Sequence, residues 1–194
     1  MAVTTTNIIV GPADLYAAPF DDSVVEPVDP SEALDPGWID LGGTDDGVSL
    51  TVSQSWESHM CDQVADYIAS SLTERNAKVS TNLVESTLEN LQVVLNGGTI
   101  TDVAAGAGTA GTSTYDPVVD LVANDPTYYS ILVRGKAPNG FQRVFIIRRV
   151  LSLDDVEFSY TKAGKSMWSV TWTGHYVSQS IAPFRVRDKT AEPV

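Results

Sequence analysis

Positive charge is missing from the opening of this 194-residue chain: no Lys or Arg precedes Arg75, while 14 Asp and Glu do. From Arg75 onward there are 12 bases against 11 acids, so the formal charge of −13 belongs almost wholly to the N-terminal part. Such a balance repels polyphosphate and weighs against general nucleic-acid binding. It also suggests one strongly negative face, and segregated charge steers association and sets register. Cysteine is nearly absent as well. A single Cys61 excludes an internal disulfide framework and a multi-thiolate zinc site. Long apolar runs are lacking too: the longest, Val144–Ile147, ends at Arg148, far short of the roughly 20 residues of a membrane-spanning helix. Met1-Ala2-Val3 leads into no basic-then-apolar pattern, so no secretory signal is expected and folding in the cytosol is.

What is present reads as β structure. Length and a 43% hydrophobic content suit one globular domain over 1–194. Val48, Leu50 and Val52 share one face of a strand, with Ser49, Thr51 and Ser53 on the other. The pattern returns as Val79, Thr81 and Leu83 against Lys78, Ser80 and Asn82. Between them, 55–75 is expected to be an extended hairpin or projecting loop. Further strands are expected at Leu15–Ala17, Trp38–Leu41, Tyr128–Arg134, Phe141–Val150, Val156–Thr161 and Ser166–Val177, with Pro138-Asn139-Gly140 as a turn. Two loops stand out: an acidic, proline-rich stretch at 19–37 and a flexible Gly/Ala/Thr stretch at 100–126.

One helix is expected. Ser86-x-x-Glu89 has the form of a capping box, Leu88, Leu91 and Leu95 form an apolar stripe, and Gly97-Gly98 ends the helix near Asn96. The fold class is therefore mainly β, a sandwich or partial barrel with one flanking helix at about 87–96.

Motifs that suggest chemistry fail on context. Gly106-Ala107-Gly108-Thr109-Ala110-Gly111 matches a dinucleotide fingerprint in letters, but the exit Thr112-Ser113-Thr114-Tyr115-Asp116-Pro117 starts no helix. His59, Cys61 and Asp62 are too few ligands for a closed zinc shell, and Cys61 has no basic neighbour to activate it. Asp154, Asp155 and Glu157 evoke a carboxylate pair, yet Asp154-Asp155 falls where a turn belongs. Arg143, Arg148 and Arg149, with Lys162 and Lys165, gather positive charge that suits the acidic loops of a neighbouring copy. No enzyme activity, cofactor or metal is expected.

The order of features resembles a known family. Ile9-Val10-Gly11-Pro12-Ala13-Asp14-Leu15-Tyr16 is followed by Trp38-Ile39-Asp40-Leu41-Gly42 and Thr44-Asp45-Asp46-Gly47-Val48. Then come the polar hairpin and Ser86-Thr87-Leu88-Glu89-Asn90-Leu91 running into Leu95-Asn96-Gly97. Together they look like the major tail (tail tube) proteins of long non-contractile-tailed phages, particularly those of actinobacterial hosts. The resemblance implies a virion protein that forms stacked hexameric rings. Inner strands would close an inter-subunit barrel through which DNA leaves, and the N-terminal region, hairpin and loops would touch the next ring. Its partners would be further copies of itself and the tape measure, terminator and distal tail proteins; no membrane is involved, and DNA passes without specific binding. On that reading the lumen is lined by Ser49, Thr51, Ser53, Lys78, Ser80 and Asn82. Contacts between copies use Asp21, Asp22, Glu26, Asp29, Glu57, His59, Asp62, Arg143, Arg148 and Arg149. Two alternatives are another tail ring component and, from a different class, a carbohydrate-binding sandwich using Trp38, Trp56, Trp168 and Trp172.

Overall fold

The computed structural model describes residues 5–9, 11–21, 24–107, 110–118, 126–157 and 164–192. The chain is mainly β with one helix. Ten strands are described: β1 (Asp14–Pro19), β2 (Ile39–Asp40), β3 (Thr44–Cys61), β4 (Val64–Leu83), β5 (Thr99–Val103), β6 (Thr112–Asp116), β7 (Tyr129–Lys136), β8 (Gln142–Ser152), β9 (Trp168–Gly174) and β10 (Phe184–Asp188). All but β5 and β6 belong to one antiparallel sheet in the order β2-β1-β7-β8-β9-β4-β3, with β10 also on β8.

The middle strand explains the longest apolar run. In β8, Val144 through Arg148 are all buried, as in a strand covered on both faces. Phe145 and Ile147 join the main core with Leu15, Ile131, Val79, Leu83, Val170 and Trp172, which requires the sheet to curl until β1, β7 and β8 face β4 and β9. Val144 and Ile146 point the other way, to a smaller cluster with Ala18, Leu132 and Trp38.

The free edge of β8 is shared. Val150, Leu151 and Ser152 pair with β9, while Arg143–Ile147 pair with β10, so the sheet forks there. Gly174 sits at the fork, where an added Cβ would lie 3.1 Å from both the Ala77 carbonyl and the Ile147 side chain.

Helix α1 (Leu88–Val94) lies within the expected span but turns a different side inward. Its N-cap is Thr87, whose Oγ1 accepts from the Asn90 amide at 3.2 Å. Ser86 instead directs its hydroxyl to the Ser166 carbonyl at 3.5 Å, so the capping box of Ser86 and Glu89 does not form. The buried stripe is Asn90, Val93, Val94 and Gly97, spaced i, i+3, i+4, i+7. The expected stripe is corrected accordingly: Leu88 and Leu91 are half-buried at its flank, and Leu95 is 38% exposed at the C-cap. The physical reason is Asn90, whose amide donates to the carbonyls of Leu41 at 3.0 Å and Glu85 at 2.9 Å and so fixes the rotation of the helix. The C-terminus is a Schellman motif: Asn96 is left-handed (φ 58°), and Gly97 N–H reaches the Gln92 carbonyl at 2.9 Å.

Of the two forms expected for 55–75, the segment takes the hairpin, strand on either side of a two-residue Asp62-Gln63 turn, whereas the 100–126 stretch expected as a flexible loop supplies β6 and most of β5, which form a separate hairpin. Val156 and Glu157 lie in no strand, and 158–161 fall outside the described residues. β10 had no counterpart in the sequence reading.

Replacing Asn90 with Ala removes the donor for two main-chain carbonyls and is expected to cost about 2 kcal/mol, whereas Leu95→Ala costs under about 0.5 kcal/mol. Urea denaturation of the two variants measures the difference.

Candidate functional site

β3 and β4 are 18 and 20 residues long, but β9, the neighbour of β4, pairs only with Lys78–Leu83. Beyond that point the hairpin leaves the sheet as a two-stranded arm. The outer edge of β3 and the edge of β4 from Val64 to Ala77 have no partner strand among the described residues. Unpaired edges of this length are templates for another chain.

Each face of this hairpin has its own character. On one, Ser49, Ser80 and Thr171 stand in a row across β3, β4 and β9, followed by Thr51, Lys78 and Thr173. Ser80 and Thr171 hydroxyls are 3.1 Å apart, and Ser169 donates to Asn82 at 2.6 Å. Ser53, opposite Asn76, continues the row outward. The six residues assigned to a lumen thus share one surface, joined by Ser169, Thr171 and Thr173 of β9. Asp45, Asp46, Asp154 and Asp155 border its end around a groove of about 300 Å³, with Lys165 Nζ 3.0 Å from Asp45. Among the described residues no group of three or more His, Cys, Asp or Glu is placed to hold a metal.

On the opposite face the core runs out before the strands do. Ala77 and Val79 are buried, but their partners Val52 and Leu50 on the edge strand are 41% and 40% exposed, so the expected core face of β3 is half bare. Outward come Trp56, paired with Leu72 across the arm, and then Met60 and Ile68. A bulge at Thr73, whose hydroxyl donates to the Ser55 carbonyl at 3.0 Å, keeps Trp56 and Leu72 on this face. Glu57 and His59 lie on the other face of the arm, with His59 Nε2 2.8 Å from the Ser71 hydroxyl, and Asp62 forms its turn.

Glu26, Asp29, Arg143, Arg148 and Arg149, also assigned to contacts between copies, are engaged within the chain. Residues 24–38 form a strap over the second face of the sheet, ending at buried Trp38, whose Nε1 donates to the Val25 carbonyl at 3.1 Å. Arg148, 6% exposed, meets Glu26 through two hydrogen bonds of 2.5 and 3.0 Å and also donates to the Ala182 carbonyl. Arg185 reaches Glu26 at 3.2 Å, Arg187 donates to the Pro27 carbonyl, and Lys189 lies 3.6 Å from Asp29. The acid-to-base pairing expected in trans is therefore satisfied in cis for Glu26, Asp29 and Arg148, because the strap is short and pinned at Trp38. Arg143 is held by Asp188 at 2.6 and 2.7 Å, and Arg149 lies 3.9 Å over the Tyr128 ring. Asp21 is exposed just after β1, and Asp22 lies outside the described residues.

A sugar platform built from four tryptophans is not present: Trp38, Trp168 and Trp172 are buried, which leaves Trp56 on the arm. The apolar face of the arm was missed in the sequence because its residues are interrupted by Ser, Gln and Glu and shifted by the bulge. No helix is long and apolar enough to cross a membrane among the described residues. In comparisons with known proteins, no family model matches the chain and no curated protein is found to be similar.

Hydrogen bonds from Ser31 hold the Asp29 carboxyl below its ordinary value of 3.8, and the Arg143 guanidinium does the same for Asp188. Carboxyls depressed by folding add stability that is complete at neutral pH and lost as pH falls through their folded values. The free energy of unfolding should therefore decline below about pH 4. In an Asp29→Asn, Asp188→Asn variant that decline should be shallower, with no change of slope between about pH 6 and 8. Urea titrations across the range test the sign.

Proposed function

We propose that this chain is a structural virion protein that polymerises as stacked rings into the tail tube of a long-tailed phage, the conduit for DNA. One observation carries the reading: a folded sheet continues into an arm that has open edges, a bare apolar face and, at its foot, a row of small hydroxyl groups. A monomer gains nothing from such an arm, since open edges and exposed Trp, Met, Ile and Leu are liabilities in water. Several copies gain a great deal. Edge-to-edge pairing around a ring satisfies the backbone groups, and packing of arms removes the apolar face from solvent.

The opposite face suits a passage. Ser49, Thr51, Ser53, Ser80 and Asn82 on β3 and β4, with Ser169 and Thr171 on β9, are short and uncharged, and Ser80 lies between Ser49 and Thr171 while Asn82 faces Ser169. Such a wall offers phosphates little to bind, and Asp45 and Asp46 beside it repel them. Lys78 is the one cation in that row, flanked by Thr51 and Thr173. It stays below the density of positive charge at which a polyanion is held. In this role the protein performs no chemistry, and its partners are copies of itself and the proteins at the two ends of the tail.

Electron microscopy of the purified protein at high concentration should show long hollow filaments. Isolated rings would point to a terminator or adaptor instead, and a lasting monomer would overturn the reading. Trp56→Ser with Leu72→Ser should leave monomer stability within about 0.5 kcal/mol yet abolish filaments. Lysines at Ser49, Thr51 and Ser53 should preserve filaments and slow DNA exit; unchanged ejection kinetics would remove these residues from the lumen.

A further inference from the structure

A groove of about 650 Å³ opens at the foot of the arm, between β4 from Leu72 to Ala77 and the connection from Gly174 to Phe184. It lies where the sheet forks, and no strand among the described residues fills it. Ala77 and Phe184, the latter stacked 5.6 Å from Phe145, provide an apolar floor. Arg75 stands over the Phe184 ring at 5.8 Å and has no ion pair among the described residues; Glu74 is the one acid on the rim.

At the far end of the arm are the complementary features. Met60 is 60% and Ile68 56% exposed on the apolar face of the arm, and Tyr67, adjacent to Ile68 in β4, is 70% exposed. Asp62 and Asp66 sit among them, and neither has an ion pair among the described residues.

We infer that the groove receives the arm tip of a second copy of this chain, with Met60 and Ile68 on the apolar floor and the tip acids near Arg75. The inference rests on the stacked-ring reading and names the acceptor site within it. The arm tip of a chain cannot reach its own groove. Leu72, the groove residue nearest the tip, lies opposite Trp56, five residues before Cys61, so the ribbon holds its tip about 17 Å from the groove at ~3.4 Å per residue. Donor and acceptor are different surfaces of one molecule, so the contact is head to tail, the kind that propagates along a stack wherever its rotation does not close a ring. The apolar face of the arm also runs directly into the groove floor at Ala77, which makes tip, arm and groove one surface for neighbouring copies.

Cys61, the single cysteine, stands at the tip and serves as a probe. Gln179→Cys and Ala182→Cys each place a partner thiol on the connection that walls the groove. Under mild oxidation of assembled protein, both variants should give a ladder of disulfide-linked dimers, trimers and longer chains on non-reducing gels. Val28→Cys, on the exposed strap, should cross-link about tenfold more slowly or less. Adding Cys61→Ser should erase the ladder. Asp62→Lys with Asp66→Lys should slow cross-linking to Ala182→Cys about tenfold, and Arg75→Asp in that background should restore most of it. Filaments without a ladder, or an equal ladder from Val28→Cys, would overturn this docking while leaving the tube reading intact. Protein that neither polymerises nor cross-links would overturn both.

Discussion

A strand of twenty residues cannot be satisfied by a neighbour of seven, and the rest of this structure follows from that mismatch between β4 and β9. Over Lys78–Leu83 the pairing is complete, one side chain in two points into the core, and the hairpin behaves as part of the domain. Past Ala77 the same alternation continues with nothing to receive it. Backbone donors and acceptors on the free edges are left to water, and the apolar set becomes surface. Neither feature stabilises a lone molecule, since a two-stranded ribbon is at best marginal in water. On the proposed tube reading, the arm is half of an interface whose other half is the same sequence.

The sheet has a second imbalance, at β8. A strand with both faces apolar needs two covers, and the domain supplies them differently. One is the core closed by α1, β4 and β9. The other is the strap, which has no regular structure and is held by Trp38 and by the Glu26–Arg148 pair. Breaking such a pair by removing one partner strands a charge in a poorly solvated place. The acidic opening of the chain is thus partly neutralised by its own C-terminal strands, which leaves Asp62 and Asp66 on the arm as more prominent negative charge than total composition suggests.

Most of the strand set was legible because alternation is a local property: Val79, Thr81 and Leu83 are buried and Ser80 and Asn82 face out, as their spacing requires. The polar row on β3, β4 and β9 was visible for the same reason. What escaped depends on neighbours. Leu50 and Val52 have core spacing but lie on an edge strand with nothing opposite. The helix was found, yet its rotation is set by hydrogen bonds from Asn90 to residues outside it, so the leucine stripe was misjudged. The 55–75 segment stayed open between a hairpin and a projecting loop because a bulge and polar interruptions blur its period. The cis pairing of the strap joins residues more than a hundred positions apart, beyond the reach of any window.

That separation has a consequence for how the molecule comes into being. Lys189 donates to Ser31 across 158 positions, and Arg187 reaches Pro27 across 160. During synthesis the strap emerges before its seat on β8 and β10, so it waits undocked until those strands leave the ribosome. Contacts this distant in sequence slow folding and lengthen the life of partly covered intermediates. An abundance of carboxylates in the waiting segment, with no cation among them, keeps those early chains apart by mutual repulsion.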